Sequence, residues 1–210
     1  MKKSTKANKP VKLKTKAKKK SSPAKKRTQA LGAAYYAQSK RLGFRLIEAD
    51  DEALYCDLFT DAKTVEHVCA PLSDDRAKQS FAKALAKSQQ KPWVQRISVV
   101  VERGNKKPLG IASIKMVDAD NCIAEVGILL KPSAQAQRYA TEASQALISS
   151  AFRHHTIDGI AAQVAFGHKA GERLVATLGY DQGEDIAATD GRGARTGWKM
   201  SREKWAHTYK

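Results

Sequence analysis

Acidic residues are missing from the start of this chain: no aspartate or glutamate occurs before Glu48. Cysteine is scarce as well. Cys56, Cys69 and Cys122 lie far apart with no C-x-x-C pair, which argues against a disulfide framework or a zinc site and favours a reducing, cytoplasmic setting. No apolar run approaches the roughly 18 residues of a membrane-spanning helix. The basic start MKKSTKANKPVKLK has no apolar stretch behind it, so it is not read as a secretory signal.

The 210 residues are 42% hydrophobic, enough for one domain with a core of its own. Their net charge of +17 is concentrated at one end, because residues 1–47 hold 16 of the 38 Lys and Arg and none of the 21 acids. The rest of the chain is close to neutral. From Met1 to about Arg27 the chain is Lys, Ser, Thr, Ala and Pro with little aliphatic bulk, a composition read as disordered. A run of this kind exchanges condensed counterions for phosphate contacts, giving salt-sensitive binding without sequence preference. RNA, the ribosome or DNA are its natural partners; an anionic membrane or a plain solubility role remain as alternatives. Only Tyr35 and Tyr36 are placed to stack on bases.

Residues 28–42 are read as a short helix within a tail and linker of residues 1–42, ahead of a domain over 43–210. Gly43 to Asp50 reads as the first strand, and Asp51–Phe59 as a helix capped by Asp50 or Asp51. Ser73–Gln89 follows as a second helix. Strands are expected at Val94–Glu102, Pro108–Val117 and Ile123–Leu130, joined by polar turns as a meander. Beyond them come a helix from about Tyr139, a short strand at Ile160–Ala165, and a helix at His168–Leu178 stopped by Gly179. A last hairpin is placed at Ile186–Thr189 and Gly197–Arg202. This order is that of an α+β fold.

The stretch that organises the chain is Cys122 to Arg153. An aliphatic run of strand length is broken at Pro132-Ser133, and a polar loop leads into a helix with apolar residues at Ala140, Ala143, Leu147, Ala151 and Phe152. Strand, short loop and helix form a phosphate-site geometry, since the first-turn N–H groups of a helix lack partners within it. The loop sequence, Gln135, Ala136, Gln137, Arg138, Tyr139, Ala140, Thr141, Glu142, Ala143, resembles the acyl-CoA-binding segment of the GCN5-related N-acetyltransferases (GNAT). The similarity is greatest to the RimJ/RimL-like branch that acetylates ribosomal-protein N-termini. That segment reads Q/R-x-x-G-x-G/A and often continues Y-A-T-E-A. The YATEA letters match, whereas Arg138 and Ala136 stand at glycine positions. Leu178-Gly179-Tyr180 resembles the end of a second family signature, N-x-x-S-x-x-x-x-x-x-L-G-F/Y, with His168 and Gly171 at its Asn and Ser positions.

The resemblance covers about Gly43 to Trp205. It implies a mixed, mostly antiparallel central sheet flanked by helices. It also implies acetyl-CoA as co-substrate, its pyrophosphate at the Gln135–Thr141 turn (Gln135, Ala136, Gln137, Arg138, Tyr139, Ala140, Thr141). Pantetheine would run along Ile128, Leu129 and Leu130, and His168 would bond pantetheine or adenine, or else cap the helix that it begins. Glu125, on the strand before the loop, is the implied general base, and no metal is implied. Gly171 and Val175 hold the positions where relatives often carry the leaving-group acid. The implied activity is transfer of acetyl to an amine, for instance the N-terminus of a ribosomal protein. The alternative is a non-catalytic adaptor that keeps the fold and is tethered by its tail.

Overall fold

The computed structural model describes residues 36–209, except 155 and 190. Residues 1–35, with the Lys-rich stretch and Tyr35, lie outside it, as does Asp190, between the two strands expected for the last hairpin. Eight strands form one sheet in the order β1-β2-β3-β4-β5-β6-β8-β7. They are β1 (Ala37–Gln38), β2 (Leu42–Leu46), β3 (Gln95–Glu102), β4 (Pro108–Asp118), β5 (Ile123–Leu130), β6 (Gly159–Ala165), β7 (Asp181–Ile186) and β8 (Arg195–Ser201). Every neighbouring pair is antiparallel except β5 and β6. The helices are α1 (Glu52–Thr60), α2 (Ala62–Val65), α3 (Asp74–Gln89), α4 (Tyr139–His154), α5 (Lys169–Leu178) and α6 (Arg202–Thr208).

Alternation along the strands assigns the two faces. Ile97, Val99, Val101, Ile111 and Leu129 pack under α1 and α3 through Leu54, Tyr55, Leu58, Phe81 and Ala84. On the other face, α4 lies across Phe44, Val100 and Ala112 at its start and across Ile114, Ala124 and Ile160 at its end. Of the expected stripe Ala143, Leu147, Ala151 and Phe152 are buried and Ala140 is half-buried, and Ala146 and Ile148 join them in the core. Burying an aliphatic side chain contributes about 1.5–3 kcal/mol, so this stripe anchors the helix and fixes where its first turn points. Gly179 ends α5 at φ +80°, the left-handed turn that glycine takes most readily.

Several elements differ from the sequence expectations. The helix expected over 28–42 lies largely outside the described residues, and residues 36–42 are not helical: Ala37 and Gln38 form a strand that pairs with Phe44 and Gly43, extending the sheet upstream of Gly43. Edge pairing overrides helical propensity there. The last hairpin forms from Asp181–Ile186 and Arg195–Ser201, leaving Thr189 only an isolated bridge to Arg192. β7 is an exposed edge strand rich in acids, so it carries no hydrophobic alternation to read. Asp51 does stand at the N-cap of α1, but its side chain makes no cap bond. It accepts from the Glu48 N–H at 2.8 Å and takes both Arg45 nitrogens at 2.7 Å.

Candidate functional site

The site follows from how β5 and β6 meet. They pair only at Ile123–Gly159, Ala124–Ile160 and Glu125–Ala161. Beyond that point β5 keeps its ladder with β4 to Leu130, and β6 keeps its ladder with β8 to Ala165. The sheet therefore splits after three residues, leaving the facing edges of Val126–Leu130 and Ala162–Ala165 without strand partners. Such an edge can accept an extended ligand as an added strand. Both strands run toward the opening, so the starts of α4 and α5 lie beside it.

At the β5 end stands the loop. Ala136 has φ +59° and Arg138 φ +61°, so both non-glycine residues adopt the left-handed conformation glycine favours. Glycine would take this backbone path at lower cost than either residue present. Gln135 and Gln137 brace it, donating from Nε2 to the Leu130 carbonyl at 3.2 Å and the Ser133 carbonyl at 2.8 Å. Arg138 is exposed, and its guanidinium has no hydrogen-bond or ion-pair partner among the described residues. With Lys40, Arg41 and Thr141 it lines an open groove of about 460 Å³ beside the first turn of α4.

The YATEA letters hold this turn in place. Tyr139 is buried and donates its hydroxyl to Glu102 Oε1 at 2.8 Å, tying α4 to the β3–β4 hairpin. That bond raises the Tyr139 pKa and, with the Asn105 amide, holds the Glu102 carboxyl below its usual range. Glu142 accepts from Ser39 Oγ and Arg41 Nε, both at 2.6 Å, and from the Arg41 N–H at 2.9 Å. Burial pushes its carboxyl up, but the Ser39 and Arg41 bonds outweigh burial and hold it below the ordinary carboxylate range. The Arg41 guanidinium also lies 4.3 Å from the Tyr139 ring centre. The side chains of Tyr139 and Glu142 are thus engaged in the fold, leaving the first-turn N–H groups, Ala140 and Thr141 included, for any ligand.

Across the opening, His168 precedes α5 and stacks on His67, ring centres 4.1 Å apart. Its ring fills the space at Gly171, where an added Cβ would come within 2.7 Å of Nδ1. Burial, then the His67 imidazole, lowers the His168 pKa. Gly171 and Val175 offer no proton donor, and Val175 is core. Ile128 and Leu130 turn their side chains to the α4 side and Leu129 to the α1–α3 side, so what the three residues present to the opening is backbone.

Glu125 sits where the strands part, on the α1–α3 face, with Oε2 accepting from Gln163 Nε2 at 2.8 Å. Ser113, Gly127, Gln163 and Gly197 occupy the next row of that face, a floor with little side-chain bulk. Arg195 lies one row further, and its NH2 donates to the Val68 carbonyl at 2.8 Å. Residues 67 and 68 thereby span the face from α5 to β8. Sequence reasoning passed over Arg195, Gln163 and His67, which sit in no motif. The Ser39–Arg41 brace had only the excess of basic residues before β2 as a signal.

The match to known proteins decides the family. The acetyltransferase (GNAT) domain family matches residues 41–181. The chain belongs to the GNAT acetyltransferases. Acetyl-CoA is therefore its co-substrate. Solved structures agree on the fold. Spermidine N-acetyltransferase from Vibrio cholerae, in complex with CoA and spermine, is 17% identical with a TM-score of 0.69, covering 80% of this chain and 99% of that one. RimL, a ribosomal L7/L12 α-N-protein acetyltransferase in complex with coenzyme A, is 13% identical with a TM-score of 0.67, covering 79% and 97%. AAC(6')-Ib in complex with ribostamycin and coenzyme A is 15% identical with a TM-score of 0.69, covering 81% and 98%. No curated protein matches the chain by sequence. No helix among the described residues of this GNAT chain is long and apolar enough to cross a membrane.

Proposed function

We propose that this GNAT chain acetylates the α-amine of a protein N-terminus, such as that of a ribosomal protein, in the cytoplasm. The observation that carries the reading is the split between β5 and β6, with the Gln135–Thr141 turn at its mouth and Glu125 at its apex. Pantetheine amides extend the free edge at Ile128, Leu129 and Leu130, and the pyrophosphate meets the N–H groups from Gln137 to Thr141 and the Arg138 guanidinium. His168 closes the far side against pantetheine. The acceptor approaches from the α1–α3 face. Glu125, directly or through a water, takes a proton from the ammonium, and the freed amine attacks the thioester carbonyl. The C–S bond then breaks, the acetyl group stays on nitrogen as an amide, and the thiolate leaves and takes up a proton.

The Lys-rich residues 1–27 hold RNA, the ribosome or DNA near this site by counterion exchange. The ribosomal acceptor is supported by the RimJ/RimL-like letters of the loop together with the Lys-rich tail, since in fold the chain is as similar to the spermidine and aminoglycoside acetyltransferases as to RimL. Thermal unfolding with acetyl-CoA tests the reading. Ligand at 100 times its Kd stabilises by about 2.7 kcal/mol, a Tm rise of about 5–10 °C for a domain of this size. Release of free thiol should then depend on an added amine. A tethered adaptor without a cofactor site would give no Tm shift and no thiol.

A further inference from the structure

The acceptor face carries an arginine that the fold leaves incompletely served. Arg195 is only 8% exposed, yet its guanidinium makes no ion pair with any described residue. NH2 bonds the Val68 carbonyl, and Nε is buried without a partner. A guanidinium drawn out of water with one neutral partner is destabilising unless something else meets its charge. Glu125 is the one carboxylate whose field reaches it, and that carboxylate is already bonded to Gln163.

The surrounding charges point the same way. Residues directly opposite one another across a ladder share a face. Lys115 is in register with Glu125, and Lys199 is in register with Ala161, the β6 partner of Glu125. Arg195, two residues before Gly197 on β8, falls on this same face. Asp181 stands opposite Lys199, but its carboxylate is held by Lys204 at 2.5 Å. Lys115, Lys199 and Arg195 therefore border the floor beside Glu125.

From this placement we infer that the acceptor is an amine whose own molecule carries a carboxylate close to it, read by Arg195, and that polycationic amines are refused. The inference rests on the acetyl-transfer reading above and narrows its acceptor. Between the Glu125 row and the Arg195 row lies one row of small or uncharged residues, Gly127 and Gln163 among them. An acceptor can thus place its amine at Glu125 and a carboxylate a few atoms away at the guanidinium. An N-terminus with Asp or Glu at its first positions has this chemistry, and so does a free acidic amino acid. Spermidine instead brings further positive charge toward Arg195, Lys115 and Lys199.

The test uses the full chain with acetyl-CoA and follows thiol release. The acceptors are a peptide beginning Ser-Asp-Glu, its isostere beginning Ser-Asn-Gln, free glutamate and spermidine. The expected kcat/KM for the acidic peptide exceeds that of its isostere tenfold or more, as one charge-assisted bond gives, with spermidine the poorest. Preference for glutamate over the acidic peptide would identify a free amino acid as the source of the carboxylate. In Arg195→Gln the acidic-to-neutral ratio should fall to about one, and Arg195→Lys should restore part of it. Arg195 would be assigned to structure alone if both peptides lost activity in proportion. A wild type that prefers the isostere or spermidine overturns the inference and leaves acetyl transfer standing. No thiol release with any amine overturns both. The wild-type ratio is informative even if the Arg195 variants do not fold.

Discussion

Arg138 is the residue whose replacement reads most directly on the loop. Its φ of +61° is the left-handed conformation, which costs a residue with a Cβ about 1–2 kcal/mol. Glycine removes that strain but gives back about 0.4–1 kcal/mol through the freedom it adds to the unfolded chain. Arg138→Gly should therefore stabilise the protein by about 0.5–1 kcal/mol, raising Tm by roughly 1–4 °C. Arg138→Ala keeps the Cβ and should leave Tm close to its starting value. Calorimetric titration then separates backbone from side chain. Both variants lose the guanidinium that faces the groove, so both should bind acetyl-CoA about tenfold more weakly, the lower end for a charge-assisted bond at an exposed site. A lower Tm in Arg138→Gly would refute the claim of strain. Tighter acetyl-CoA binding by Arg138→Gly than by the wild type would show that the Cβ obstructs the turn rather than the guanidinium assisting it.

Glu125→Gln should lower turnover at least a hundredfold, within the range a general base contributes, while calorimetry finds acetyl-CoA affinity nearly unchanged; equal losses would make Glu125 structural. Glu142→Gln weakens three bonds to Ser39 and Arg41. With Arg41 partly exposed and screened, the cost should be about 1–2 kcal/mol, a Tm loss of about 2–8 °C. Because the folded Glu142 pKa is depressed, its stabilisation is complete above the unfolded carboxylate value of about 4.3 and fades as pH falls through the folded one. Denaturation midpoints of wild type and variant should converge in acid, and a gap constant from pH 7 to pH 3 would contradict this. Removing residues 1–27 takes away 13 Lys and Arg and no acids. Circular dichroism should find the remainder folded, and the dependence of RNA affinity on salt should flatten; an unchanged slope would place nucleic-acid binding in the domain instead.

The strand–loop–helix centre was legible because local pattern and tertiary role coincide there. The aliphatic run Ile123–Leu130 forms β5 over those same residues, and the 3.6-residue period opens α4 at Tyr139. The family letters also located the turn, although Tyr139 and Glu142 hold the fold rather than face the opening. What escaped was created by tertiary contact. β1 exists through its pairing with β2, and nothing in Tyr-Ala-Gln announces it. β7 is a polar edge whose partner defines it, and α2, of four residues, is too short to show a period. Arg195 reads as one more basic residue near a glycine-rich turn. Only its burial against Val68, beside a floor with Gly127 and Gly197, distinguishes it.

The split sheet divides the proposed reaction between two faces with different charge problems. Coenzyme A brings phosphates, which the proposal sets at the first turn of α4, beside a groove lined by Lys40 and Arg138. In that reaction the acceptor must lose a proton before it can attack, so its face needs a base near the thioester. The proposed base, Glu125, meets that requirement by position. It is the last β5 residue still paired to β6, so its backbone is held from both sides. One residue later the strands separate and the β5 edge becomes available to a thioester. If the ladder continued to Val126 and Ala162, the edge would be sealed just beyond the base. If it stopped earlier, Glu125 would lose its β6 partner and the Gln163 bond that orients it. Three paired residues give a fixed carboxylate next to an open edge, and in the proposed reaction that adjacency links base, thioester and amine.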